Sequence, residues 1–249
     1  MHNKKLKGLM GALAICTVIV GGTFAWLGAN DSVINNFKIQ ASEKGDIDIV
    51  EEFDKEEAEK IKTGVNVDKK VQVQNKSDYD SLIRVNIERL FKGENGNTLN
   101  NLDIEKIILN YLDGAIISES DIKLDDQGDV TNLNDVKGKW VLAENKYYYI
   151  GNVAPEGYTT QLLDIVTLDP SIASNPNYKG VAFDVIVNAE SVQSTVEAIT
   201  ANGDTGTTNE NGFGLDEVKH KNLVAALKAV VGQPSEKGNL TINPTDLNQ

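Results

Sequence analysis

The chain has 249 residues, 40% of them hydrophobic, enough to bury one large all-β core or two small ones, so wholesale disorder is excluded. Its 24 Lys and Arg stand against 37 Asp and Glu, and three of those cations, Lys4, Lys5 and Lys7, fall in the first 25 residues. Without them the balance is 21 against 37, net −16, a surface that repels nucleic acid and anionic membranes because no basic footprint remains to displace phosphate counterions.

Met1 to Lys7 forms a cationic start, and Gly8 to Val20 is a 13-residue apolar run ending at Gly21-Gly22. A membrane-spanning helix needs about 20 apolar residues, so the run reads as the core of a secretory signal covering residues 1–25 rather than as an anchor. Small residues at Thr23-Phe24-Ala25 place the cut between Ala25 and Trp26, with Leu27-Gly28-Ala29 as a second position. Cys16 sits inside the apolar run behind Ile15, a residue of the wrong size for a lipidation box, and reads as an ordinary member of that run. Leu240 to Gln249 carries no apolar tail, so the processed protein is expected to be secreted and free of the membrane.

Past the signal, period-two alternation recurs wherever apolar residues cluster, the mark of half-buried strands. Val33, Asn35, Phe37 and Ile39 share one face of a first candidate strand, and Ile47 and Ile49 alternate with aspartates in a second. Glu51 to Lys62 is dense in charge and reads as a solvated helix or loop. Lys70 to Asn75 and Ser81 to Phe91 form a strand pair joined by the turn residues of Asn75 to Asp80. Residues 92–137 read as an insertion rich in Asn, Asp and Gly, with Ile104 to Leu112 as a short helix.

Lys139 to Leu142 and Tyr147 to Gly151 predict an aromatic hairpin closed by residues 143–146. Alternation places Tyr147 and Tyr149 together, toward the core. Pro155-Glu156-Gly157 is a turn signal, and Thr159 to Leu168 and Gly180 to Ala189 are further strands. Ala201 to Gly214 is a loop by composition, Leu215 to Val231 is spaced for an amphipathic helix, and the last dozen residues look frayed. The sum is an all-β chain, a jelly-roll-like β-sandwich over residues 41–249 with a few helical insertions, preceded by the signal and by residues 26–40.

The sole cysteine is Cys16 and the only histidines are His2 and His220, so a chain starting at Trp26 has no thiol and one imidazole. That excludes disulfide scaffolds, cysteine nucleophiles and Cys/His zinc sites. A zinc peptidase needs about three protein ligands, and His220 lies between Lys219 and Lys221 with no H-E-x-x-H around it. No G-x-S-x-G elbow is present either, so no catalytic residues, metal or cofactor are expected.

Several stretches resemble the TasA/camelysin group of exported Gram-positive biofilm matrix proteins. Gly21-Gly22-Thr23-Phe24-Ala25-Trp26-Leu27 looks like that group's export boundary, and Asn36-Phe37 sits where the group has N-[TA]-F. Lys70 to Ile87 is similar to its strand-turn-strand, Lys146 to Leu168 to its Y-Y-Y hairpin and following turn, and Asn188 to Ser194 to the end of its late strand. The order holds over roughly two thirds of the chain. Departures are Ser77 in place of Gly, Ala154-Pro155-Glu156-Gly157 in place of Leu-x-Pro-Gly, and the Asn-rich insertion.

The resemblance implies a non-enzymatic jelly-roll subunit that polymerises into extracellular fibres after a signal peptidase has acted. A jelly roll short of one strand exposes an unpaired edge that an extended peptide from a neighbour can complete. The candidate donor is residues 26–40, with Trp26, Leu27, Val33, Phe37 and Ile39 as the side chains that fill the neighbour's pockets. Alternation alone favours Val33 to Gln40 as the first strand of its own sandwich, and it is the resemblance that turns the reading toward donation. A monomeric adhesin is the rival reading, carried by the loop with Asp204 and Glu210 or by Trp140, Tyr147, Tyr148 and Tyr149.

Overall fold

A computed structural model of the chain describes residues 16–20, 25–26, 47–53, 61–200 and 212–245. Among them, strands dominate and assemble into two sheets with few helices. The candidate donor positions Leu27, Val33, Phe37 and Ile39 lie outside the described residues, as does most of the loop from Ala201.

The smaller sheet is β3 (Ile47–Phe53), β4 (Asn66–Asn75), β10 (Leu163–Leu168) and β6 (Ile107–Tyr111), antiparallel throughout and in that spatial order. The charged run expected to begin at Glu51 is still strand to Phe53, because Glu51 and Phe53 continue the alternation of Ile47 and Ile49 and all four are buried. The larger sheet runs β1 (Cys16–Val20), β11 (Ala182–Gln193), β5 (Ser81–Lys92), β9 (Lys146–Tyr149), β8 (Trp140–Ala143) and β7 (Ile116–Ile117). The two-residue β2 (Ala25–Trp26) pairs with β11 beyond β1.

The β8–β9 hairpin forms as expected. Glu144 and Asn145 take φ of 51° and 62°, the left-handed pair that a two-residue hairpin turn requires. Alternation sends Tyr147 and Tyr149 into the core between the sheets and Tyr148 to the opposite face. Trp140 packs on Tyr149 at 5.0 Å between ring centroids.

That opposite face carries a second apolar cluster. Leu82, Val141, Tyr148 and Val192 of the large sheet meet Leu223, Val224, Leu227 and Val230 of a helix, α2 (Lys221–Val230), which follows the single turn α1 (Leu133–Val136). The helix is shorter at its start than the apolar spacing suggested, since Asp216 ties down the amides of Val218 and Lys219 in a separate turn.

Two expectations are overturned. Ile104 to Leu112 is not a helix: a 3-10 turn, Ile104–Lys106, leads directly into β6, whose Ile107 to Asn110 find partners on β10. The ladder supplies what a nine-residue helix could not, since helices that short are marginal. Nor are the described residues 238–245 of the C-terminus frayed. Gln72, fully buried, donates from Nε2 to the carbonyls of Thr159 (2.8 Å) and Asn239 (3.1 Å) and accepts at Oε1 from Thr241 N (2.7 Å) and Ile242 N (3.3 Å). Gly238 lets the strap pass: a Cβ there would lie 2.0 Å from the Tyr158 carbonyl oxygen.

Candidate assembly edge

β11 is the centre of the large sheet's chemistry. Its alternate residues Phe183, Val185, Val187 and Ala189 point into the core between the sheets and are 0–1% exposed. On one side it pairs with β5 along its whole length, from Ala182 opposite Lys92 to Gln193 opposite Ser81. Among the described residues, its other side is covered by the N-terminal strands alone. Cys16 to Val20 lies antiparallel opposite Ser191 to Val187, Ala25 opposite Phe183 and Trp26 opposite Ala182.

The structure therefore sets the expected cleavage pair, Ala25 and Trp26, directly on this edge. Cys16 to Val20, the end of the segment read as the signal's apolar core, occupies the strand position beside β11. No helix among the described residues is long and apolar enough to cross a membrane.

The other face of β11 carries charge. Glu190 accepts from Arg84 Nε (2.8 Å) and Nη2 and pairs with Lys146 (2.9 Å). Burial pushes its carboxyl up, but Lys146 and Arg84 together outweigh this and hold it below the usual range. Arg84 also donates to the Phe213 carbonyl (2.6 Å) and sits over the Phe213 ring at 4.7 Å, tying the sheet to the residues that follow the loop. Asp184 is different. It is 3% exposed, its Oδ1 has no hydrogen-bond partner among the described residues, and Lys92 Nζ stays 3.9 Å from Oδ2. Burial pushes its carboxyl up to about 6 against the pull of Lys92.

A pH effect follows for the chain with its N-terminal strands in place. Native Asp184 keeps a proton up to about pH 6, whereas the unfolded carboxyl releases it near 3.8, so stability falls as pH rises through that window. The interval is worth about 3 kcal/mol at most. Urea unfolding at pH 4 and pH 7 checks it: Asp184→Asn should remove that part of the slope, and an unchanged slope would show the carboxyl hydrated.

Across the sheet, β5 pairs with β9 only at Arg84 and Val85, and β6 is the outer strand of the small sheet. Between them opens a groove of about 870 Å³, floored by Ile87, Leu109, Tyr111 and Tyr147 and rimmed by the exposed Leu142 and Ile104. Two stitches cross it. Arg89 reaches the Ile107 carbonyl and Glu105, both at 3.0 Å, and the Tyr111 and Tyr147 hydroxyls hydrogen-bond directly. Burial pushes both phenols up.

His220 is not in a cationic setting. Its Nδ1 lies 3.1 Å from Glu119 Oε2 and its Nε2 3.4 Å from Glu144 Oε1, while the other Glu119 oxygen accepts from the Leu223 amide. Sequence neighbours Lys219 and Lys221 gave the wrong sign because the contacts are made through the fold, from residues 76 and 101 positions away. This histidine joins the start of α2 to the hairpin turn. No group of three or more His, Cys, Asp or Glu among the described residues could hold a metal ion. No family model, curated protein or solved structure matches the chain.

Proposed function

We propose that this chain is an exported structural subunit, a jelly-roll-type sandwich that polymerises head to tail by strand addition at the outer edge of β11. The observation that supports it is the cover on that edge: among the described residues it consists of strands from the segment expected to be removed, plus Trp26. Cleavage after Ala25 takes β1 away. The edge beside Phe183, Val185, Val187 and Ala189 then offers bare backbone groups above an apolar floor, the state that β-augmentation relieves.

Residues 26–40 of a second copy are the donor, with Trp26, Leu27, Val33, Phe37 and Ile39 entering the vacated position. Five such side chains contribute about 7–15 kcal/mol of apolar burial before ordering costs. The contact joins two different surfaces, so it does not close on itself, and repetition makes a fibre. Export controls assembly, because the uncut leader occupies the site that the donor needs. The protein acts outside the cell, in the biofilm matrix or on the cell surface, and needs no cofactor.

The groove beside β6 favours a second reading, a monomeric adhesin that holds a host or matrix ligand there. Electron microscopy separates the two. Protein beginning at Trp26 is expected to form filaments at neutral pH, while protein beginning at Ala41, with an unchanged melting transition, stays monomeric. Monomers from both would remove the polymer reading and leave the adhesin.

A further inference from the structure

Asp184 is a buried carboxylate whose ion pair with Lys92 is a long one in the unprocessed chain. An isolated charge in an apolar setting is costly, and folded proteins resolve it by protonation or by a cation placed against it. Lys92 on β5, at 3.9 Å, is the only cation the structure brings near it among the described residues, and Oδ1 is left with nothing.

The strand register says where a second cation arises. Trp26 is opposite Ala182 and Ala25 opposite Phe183, so the bond expected to be cut lies on the strand beside β11, about 4.8 Å across the ladder from Ala182 and Phe183 and one to two residues along it from Asp184. Ala182 and Asp184 share one face of the strand. Hydrolysis of the Ala25–Trp26 amide by the processing peptidase consumes one water. It leaves a carboxylate on Ala25, which departs with the leader, and an ammonium on Trp26.

We propose that Asp184 is the receptor for that ammonium: processing creates a charged N-terminus at Trp26 that pairs with the buried carboxylate and latches it to β11 of its own subunit. This rests on the reading that the cut falls after Ala25. Before the cut the Trp26 nitrogen is an amide and cannot carry charge, so the device is silent. Afterwards the latch opposes donation, because the segment must release Asp184 before it can enter a neighbour. Asp184 thereby sets how readily a processed subunit gives up its strand. Pairing needs the carboxylate ionised and the amine protonated, so the latch is lost on acidification, when Asp184 takes up a proton, and again as pH rises past the amine's own pKa, which pairing lifts above its free value of about 8. Lys92 competes for the same carboxylate from β5.

The test uses processed monomer collected from the medium. Mass spectrometry is expected to show Trp26 as the first residue. Acylation of the α-amine at pH 7.5 is expected to run about tenfold slower than in a short peptide starting Trp-Leu-Gly, since a one-unit rise in amine pKa cuts its free base about tenfold. Asp184→Asn should restore the peptide rate and Asp184→Glu should keep the protection, with melting curves confirming that both variants fold. A different first residue, or the same rate in the wild type and Asp184→Asn, overturns the assignment. The labelling is read on monomers. A protected amine without filaments leaves the latch standing and removes the polymer reading; filaments with an unprotected amine do the reverse.

Discussion

Glu51→Leu is expected to lower the melting temperature by about 10 °C, the largest loss we anticipate from any single change to a charged side chain. Lys69 on β4 is 1% exposed and Glu51 on β3 is 6% exposed, and the ammonium meets both carboxylate oxygens at 3.0 and 2.9 Å. The Phe53 ring lies 5.2 Å from the same nitrogen. Ile61, Val67, Val166, Phe183 and Val185 close the space around it, so water cannot replace the lost partner. Removing one member of such a pair typically costs about 3–5 kcal/mol, and in a chain of this size each kcal/mol moves the midpoint by about 2–4 °C. Replacing both, Glu51→Leu with Lys69→Met, should recover most of the loss, since an apolar pair of similar volume needs no counter-charge. Calorimetry of the three variants checks this, and a drop under about 2 °C for Glu51→Leu would mean that the site hydrates. The pair also bears on assembly: Phe183 and Val185 belong to the floor of the proposed acceptor edge, and the ion pair supports them from the facing sheet.

Much of this architecture is legible in the sequence wherever local pattern and tertiary demand agree. β5, β11 and the β8–β9 hairpin alternate cleanly because each buries one face in the core, and even the opposite destinations of Tyr147 and Tyr148 follow from their odd and even positions. The misreadings come where the partner is distant. Ile104 to Leu112 has apolar residues that suit a helix turn, but β10, more than fifty residues later, offers backbone groups to Ile107 through Tyr111. The C-terminal residues are polar and unpatterned, so nothing local announces that a single buried glutamine at position 72 will hold them. His220 has lysine on both sides in sequence and carboxylates around it in space. The candidate edge is half legible: the strand β11 is plain, whereas its outer partner is a matter of topology. Asp184 carried no signal at all, since an aspartate on an alternating strand reads as solvent-facing.

Gln72→Leu is the second large expected effect, and it bears on why β11 is the edge that assembles. Four sheet margins exist among the described residues. The margin at β7 is two residues long, too short to template a partner. That at β6 borders the groove stitched by Arg89 and by the Tyr111–Tyr147 pair. The margin at β3 is covered by the C-terminal strap: Thr245 N donates to the Glu51 carbonyl (2.9 Å), Phe53 N donates to Thr245 Oγ1 (2.8 Å), and Asn243 N caps Glu52 (2.7 Å). Gln72 is the clamp behind that strap, and a leucine of similar length leaves the Thr159 carbonyl and the strap's amides without their partner. Part of the strap can rehydrate, so the loss is about 3 kcal/mol, or about 6–12 °C in melting temperature. The more informative result is in solution behaviour. With the strap loosened, β3 becomes a second open edge, and the variant beginning at Ala41, which lacks the donor, is expected to associate irregularly where its parent stays monomeric. Light scattering of the two proteins decides it. Monomers from both would mean that the strap contributes stability alone, and that β3 is kept from pairing by Glu52 and the charges that follow rather than by its cover.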